Sequence, residues 1–308
     1  MKESNYFYYI AKHVANKIHN KKTLSYFLIL LSSGLATFLT NDIALFLIIP
    51  FTLELKKIMN LDVSRIILLE ILSVNIGSSL TPIGNPQNVF LWHHFRVNFF
   101  DFIIQMFPIF IIQMLLLLFF AYVLIEKQEI QINLFEESYS KLNFYSSVIL
   151  LIIFIIISKT IFLVPFLILI FSYFFIFNRT IIFKSDWNLI ITFILFFIDF
   201  GIVSHMNIIN TFINKLDFQD FNLFSFSVIL SQFISNVPAT ILISHFSDNW
   251  KIISFGVNVG GAGLIIGSLA NIIGLRLAKI DNGIKKFHKI SFPFIIISFI
   301  LISLFLVI

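Results

Sequence analysis

Long apolar runs interrupted at a few places by short polar clusters set the pattern of this chain. Ile103–Ile125 and Phe292–Ile308 are almost wholly apolar. A membrane barrel strand alternates over roughly 10 residues, whereas a spanning helix needs roughly 20 apolar ones. The runs therefore predict helices. Residues 1–23 open polar and basic and predict an interfacial arm helix. They do not make a signal peptide, because no small-residue cleavage site follows the next apolar stretch. A first unit, 24–125, holds an apolar pair 24–57 broken at Thr40-Asn41-Asp42, a helix 62–95 broken by NIGSSLTPIGNPQN (75–88), and a span 102–125. A polar connector, 126–143, follows. The second unit, 144–308, holds spans within 145–204, an arm at 205–220 and an apolar pair 222–246 broken at Ser235-Asn236-Val237-Pro238. It continues with a helix 251–276 broken by NVGGAGLIIGSLAN (258–271) and a last span 290–308.

Composition narrows the class. Of 308 residues, 58 % are hydrophobic and 12 % charged, with mean hydropathy +0.97, so intrinsic disorder is excluded. The chain has no cysteine, which removes disulfides and thiolate metal sites. The net charge of +5 fits basic loops at a membrane surface better than nucleic-acid binding. Phenylalanine and isoleucine dominate the lipid-facing material, and the 41 phenylalanines are assigned no function. The expectation is an all-α polytopic protein of the cytoplasmic membrane.

The polar interruptions repeat. Asn75, Gly77, Ile83, Gly84 and Asn88 recur as Asn258, Gly260, Ile266, Gly267 and Asn271, each 183 positions on. Upstream, Thr40-Asn41 recurs as Ser235-Asn236 at an offset of 195. The apolar arms beside these tips are about 11–16 residues long, roughly 17–24 Å as helices, short of a ~30 Å hydrocarbon core. If both pairs are re-entrant hairpins, 17 of the 21 Lys and Arg fall on the side of residues 1–22 and 4 on the other. As ordinary crossings they divide 13 against 8. The positive-inside tendency favours hairpins that enter from opposite faces, an inverted-topology repeat.

Broken backbone at bilayer depth is tolerated where it is buried in protein or lines a polar cavity. Half-helix N-termini there can face an anion, and freed carbonyls can hold Na⁺. Candidate contacts in the first half are Thr40, Asn41, Asp42, Asn75, Gly77, Ser78, Ser79, Thr81, Gly84, Asn85 and Asn88. Those in the second are Ser235, Asn236, Val237, Pro238, Thr240, Asn258, Gly260, Gly263, Gly267, Ser268 and Asn271. The glycines, with Gly261, allow close backbone approach and positive φ. Pro82, Pro86 and Pro238 suit helix restarts. The competing reading is kinks and small-residue packing. Intramembrane acids mark functional sites. Asp42 is a candidate proton carrier or cation ligand, or the N-cap of residues 43–53. Glu70 is a second coupling candidate, or the partner of a neighbouring Lys or Arg; Asp199 suits pairing or water access near the outer end of its span. His93 and His94 are expected in a solvated outer loop. No catalytic, Walker A or dinucleotide signature is present, so an enzyme or an ATP-driven pump is not expected.

The segments TNDIALFLIIP, NIGSSLTPIGNPQN, ISNVPATILIS and GVNVGGAGLIIGSLAN resemble the signatures of the ion transporter superfamily. The nearest branch is the arsenite-permease, sodium–proton-antiporter-like and citrate-transporter-like permeases; the divalent anion–sodium symporters are more distant. The resemblance covers about residues 24–280. It implies a scaffold domain and a transport domain of two opposed hairpins and two broken helices, with 1–22 and 205–220 as horizontal arms. In the symporters, Ser-Asn-Thr tips bind sodium and the substrate carboxylate. Thr40-Asn41 and Ser235-Asn236 match the first two tip positions; the third is Asp42 in one and Val237 in the other. Asp42 matches the Asn-Asp of the arsenite-permease-like branch. The second half has 91 residues from its connector to Ser235, the first only 39 before Thr40, so the chain is expected to be N-terminally short. The expected function is a secondary, elevator-type permease for a small anion or oxyanion, coupled to Na⁺ or H⁺ and acting in the bilayer as a homodimer. The alternatives are a cation/proton antiporter using Asp42 and a non-transporting membrane subunit.

Overall fold

The computed structural model describes residues 6–130 and 219–307, with Leu163–Phe177 and scattered positions between 145 and 202. The connector 126–143 beyond residue 130, most of the spans in 145–204 and the arm 205–220 up to residue 218 lie outside the described residues. Twelve α-helices and one 3₁₀ turn make up the described chain, and no strand is among the described residues. They are α1 Tyr6–Ala15, α2 Lys21–Phe38, α3 Asn41–Met59, α4 Ser64–Ser79, α5 Pro86–His94 and α6 Phe99–Leu124. Then come α7 Leu163–Phe177, α8 Asp220–Ile234, α9 Asn236–Ile243, α10 Trp250–Gly260, the turn Ile265–Gly267, α11 Leu269–Ala278 and α12 Gly283–Val307.

Helix ends depart from the edges of the apolar runs, because good helix formers continue a helix whatever their charge. Asn20 caps α2, its Oδ1 accepting from the Lys22 N–H at 2.8 Å, so α2 begins at the lysines and not at residue 24. Lys56 and Lys57 sit in the last turn of α3. α12 takes in Lys285, Lys286 and Lys289, beginning seven residues before the predicted 290. The arms of the first pair are thus 18 and 19 residues long, about 27–29 Å at the helical rise. The expected shortfall against the bilayer core is small there. It is large in the second pair, where α8 has 15 residues and α9 has 8.

Contacts at the helix ends place the elements. Lys21 N–H donates to the Gln128 carbonyl (2.9 Å), and the Lys22 ammonium sits 3.7 Å over the Tyr122 ring. Arg65 Nη1 donates to the Leu124 carbonyl (2.9 Å). The Ser64 hydroxyl and N–H hold the Asp62 carboxyl below the usual carboxylate range, helped weakly by Lys21 and Lys286. The start of α2, the α3–α4 loop, the end of α6 and the start of α12 therefore share one end of the molecule. At the other end, Asn249 Nδ2 donates to Asp220 Oδ1 (2.8 Å) and Phe102 stacks on Trp250 at 5.2 Å. The starts of α6 and α8 meet the α9–α10 loop there.

Two apolar clusters fill the interior. One joins α1–α4 with the last half of α6, α11 and the start of α12. The other joins α5, the start of α6, α8–α10 and the far half of α12. α2 packs along α4, and α8 packs in the same way along α10. α6 and α12, 26 and 25 residues long, are apolar and long enough to cross a membrane. Each exposes a stripe of large apolar residues: Phe100, Ile104, Phe107, Leu115 and Phe119 on α6, and Phe292, Ile296, Ile300 and Leu304 on α12. Contiguous apolar surface of that kind is stable only against lipid or another protein.

Candidate functional site

Each broken helix is built from the same bonds. α4 stops at Ser79 and α5 restarts at Pro86, whose missing N–H suits a first helical position. Asn85 caps that restart, its Oδ1 accepting from the Asn88 N–H at 2.9 Å. The second break runs from Gly261 to Ser268, and Ser268 caps α11 by accepting from the Ala270 N–H. Within the breaks, Leu80 N–H donates to Gly77 and Gly84 N–H to Thr81. Gly263 N–H donates to Gly260 and Gly267 N–H to Leu264, each bond 183 positions on. Asn88 Nδ2 donates to the carbonyls of Ser78, Ser79 and Thr81 (3.0–3.3 Å). Asn271 Nδ2 donates to those of Gly261 (2.9 Å) and Leu264 (3.2 Å), again 183 positions on.

The two breaks are joined crosswise. Asn75 Nδ2 donates to Asn271 Oδ1 at 2.8 Å, and Asn258 Nδ2 donates to Asn88 Oδ1 at 2.8 Å. Because Asn75 corresponds to Asn258 and Asn88 to Asn271, these are the same contact made twice. Asn75 and Asn258 also donate back to the carbonyls of Ile71 and Ser254. Asn85 Nδ2 adds a further bond to Asn258 Oδ1 (2.9 Å). All five asparagines are buried.

The tips lie beside this network. Asn41 N–H donates to the Gly84 carbonyl at 2.9 Å, tying the first tip to the first break. Asn41 Oδ1 accepts from the Asp42 N–H, and Asn236 Oδ1 from the Val237 N–H, both at 2.9 Å. The N-cap of α3 is Thr40, so Asp42 is not the cap; it sits in the first turn, where a carboxylate complements the helix dipole. Ser235 takes φ 74°, and its hydroxyl reaches Asn236 Oδ1 at 3.5 Å. Thr240 donates to the Asn236 carbonyl inside α9, where Val237 and Pro238 are also buried. Pro238 thus falls inside the first turn of a helix that has already begun at Asn236.

The glycines work by close approach alone: none of the described glycines has positive φ. A Cβ on Gly77 would overlap the Ser33 backbone, and one on Gly84 the Ser78 backbone. One on Gly260 would strike Ser231, one on Gly263 would strike Gln232, and one on Gly267 would strike the Gly260 carbonyl. The hydroxyls of Ser78 and Ser79 turn back to their own helix, to the carbonyls of Asn75 and Ile76.

Some predicted residues stand apart. Glu70 is fully buried and accepts from the Thr52 hydroxyl of α3 at 2.5 Å; its partner is not a Lys or Arg, and its Oε2 has no partner among the described residues. Asp199 is exposed. His93 and His94 end α5 and line, with Thr40, Pro86, Val89 and Phe90, a cleft of about 580 Å³. Three polar side chains in the network are absent from the sequence-based set. Thr37 donates to the Gly77 carbonyl (3.1 Å), and Gln232 to the Gly260 carbonyl (2.7 Å). These two are 195 positions apart, the offset of the tips, which is the signal that could have found them. Gln87, buried, reaches Asn258 Oδ1 at 3.4 Å, and its own Oε1 has no partner among the described residues.

The family profile described as "Citrate transporter" matches residues 1–248. The chain belongs to the citrate transporter family. As a member of that family it is an integral membrane transporter for a small molecule and not an enzyme. It is similar to an uncharacterized transporter of Methanocaldococcus jannaschii, 35 % identical over 94 % of this chain and 80 % of that one. It is also similar to the inner membrane protein YbiR of Escherichia coli, 32 % identical over 95 % of this chain and 80 % of that one. A silicon efflux transporter of Oryza sativa subsp. japonica matches at 39 % identity over 22 % of this chain and 14 % of its own. The family match includes both tips and the first break; the second break lies beyond residue 248 and is tied to the first by the crossed asparagines.

Proposed function

We propose that this transporter is a secondary permease for a small anion or oxyanion, with its site at the two breaks and two tips. The crossed asparagine contacts carry the reading. They give two half-helix starts, α5 and α11, in one buried polar cluster with no Lys or Arg among its side chains. Half-helix N-termini favour an anion there, while carbonyls and amide oxygens suit a coupling cation. The pairs α2–α3 and α8–α9 are read as re-entrant hairpins entering from opposite faces. The support is that α2 begins and α3 ends beside the end of α6, whereas α8 begins and α9 ends beside its start. The units 24–125 and 144–308 then form an inverted repeat, multi-pass in the cytoplasmic membrane, with the Lys-rich end inside. Elevator-like movement, a homodimer, and Na⁺ or H⁺ as coupling ion complete the proposal.

Reconstituted protein should accumulate labelled citrate or arsenite under an imposed Na⁺ or pH gradient. Asn41→Ala and Asn236→Ala should each abolish this while the protein stays folded; near-normal uptake by both would show that the tips are only structural. The second reading, cation/proton antiport, rests on Asp42, whose carboxylate has no side-chain partner among the described residues. Asp42→Asn keeps the shape and removes the titratable charge. Loss of gradient-driven accumulation with surviving substrate exchange assigns coupling to Asp42; an unchanged pH profile removes that role.

A further inference from the structure

A second pocket lies between Ile265 at the outer edge of the second break, the end of α11 and the first turns of α12, with a volume of about 960 Å³. Arg276, Lys285 and Lys289 line it together with His288, and no Asp or Glu is among its described lining residues. Lys285 and Lys289 are four apart on α12 and so share a face, one turn above the other. Ile265, Leu275 and Ile284 contribute apolar wall. His288 Nε2 accepts from the Ile265 N–H at 3.0 Å, which commits that ring nitrogen to the wall. The pocket lies at the end of the molecule that also carries Lys21, Lys22, Lys56 and Lys57. Just past Lys289, α12 exposes Phe292 and Ile296, so its surface changes there from basic to lipid-facing.

We propose that this pocket binds an anionic phospholipid, its phosphate held by Arg276, Lys285 and Lys289 and its glycerol and upper acyl chains against the isoleucines. A basic pocket between helices at the headgroup level has that complementarity. A free phosphate ion would use the charges and leave the apolar wall and most of the volume unfilled.

The test uses the full chain in non-ionic detergent, with bound lipid read by native mass spectrometry. Phosphatidylglycerol should be retained and phosphatidylcholine should not. Each basic residue near an anionic headgroup contributes roughly fivefold, so the triple variant Arg276→Gln/Lys285→Gln/Lys289→Gln should bind phosphatidylglycerol on the order of a hundredfold more weakly. The single variants, at exposed positions, should each show a several-fold loss and serve if the triple variant does not fold. Lys251→Gln, at the opposite end, should leave binding unchanged. Equal retention of phosphatidylcholine, or wild-type binding by all the single variants, would overturn the proposal. So would displacement of phosphatidylglycerol by millimolar sodium phosphate, which would mark the pocket as a free-anion site.

Discussion

Asn88 does more for the first break than any other single side chain. Its Nδ2 serves three carbonyls freed by the end of α4, and its Oδ1 receives Asn258. Its counterpart Asn271 serves two carbonyls and receives Asn75. Leaving a buried polar group without a partner costs about 1–3 kcal/mol. Asn88→Ala and Asn271→Ala should therefore lower thermal stability in detergent by several degrees, Asn88→Ala the more. Asn41 differs, because among the described residues its side chain accepts only from the next residue's N–H. Asn41→Ala should cost less stability than either and still remove transport. Equal destabilisation by all three would mean that the tip asparagine is as structural as the others. At this scale the chain was legible where residues recur at a fixed offset. Thr37 and Gln232 escaped because unlike residues make matching bonds, and Gln87 because nothing in the repeat answers to it.

Among the elements, the breaks were legible and the helix ends were not. Asn, Gly and Pro in apolar surroundings mark where a helix stops, for reasons of missing donors and absent Cβ atoms. Helix ends in the Lys-rich stretches are set by capping, as Asn20 does for α2, and charge pattern does not report it. Positive φ was expected of glycine; within the breaks and tips it occurs instead at Ser235, at the second tip. A non-glycine residue there is strained. Ser235→Gly should keep or raise thermal stability by up to about 1 kcal/mol, since it relieves that strain at the cost of chain entropy. Ser235→Val should lower it, because a β-branched side chain fits φ 74° poorly. Gly77→Ala places a methyl on the Ser33 backbone and should reduce the folded yield, since neither α2 nor α4 has a flexible side chain there to give way. A Ser235→Val protein as stable as its parent would show that the tip backbone relaxes freely.

For the whole molecule, the all-helical class and the transporter family followed from apolar runs and repeated signatures. Which segment ends meet at each end of the molecule depends on contacts between distant residues, such as Arg65 with Leu124 and Asn249 with Asp220, which no local pattern encodes. Those contacts make a specific labelling prediction. Single cysteines can be placed in this cysteine-free chain without background. Lys56→Cys, Lys17→Cys and Lys286→Cys lie at or near the end where α6 finishes, and Asp248→Cys lies where α6 begins. All four positions are exposed. An impermeant maleimide should reach the first three from one face of the membrane and Asp248→Cys only from the other. With re-entrant pairs, the face shared by Lys17 and Lys56 is the cytoplasmic one, because it collects most of the basic residues. If α2 and α3 instead made one continuous crossing, Lys56→Cys and Lys17→Cys would label from opposite faces. The measurement therefore separates the two topologies without requiring the substrate to be known.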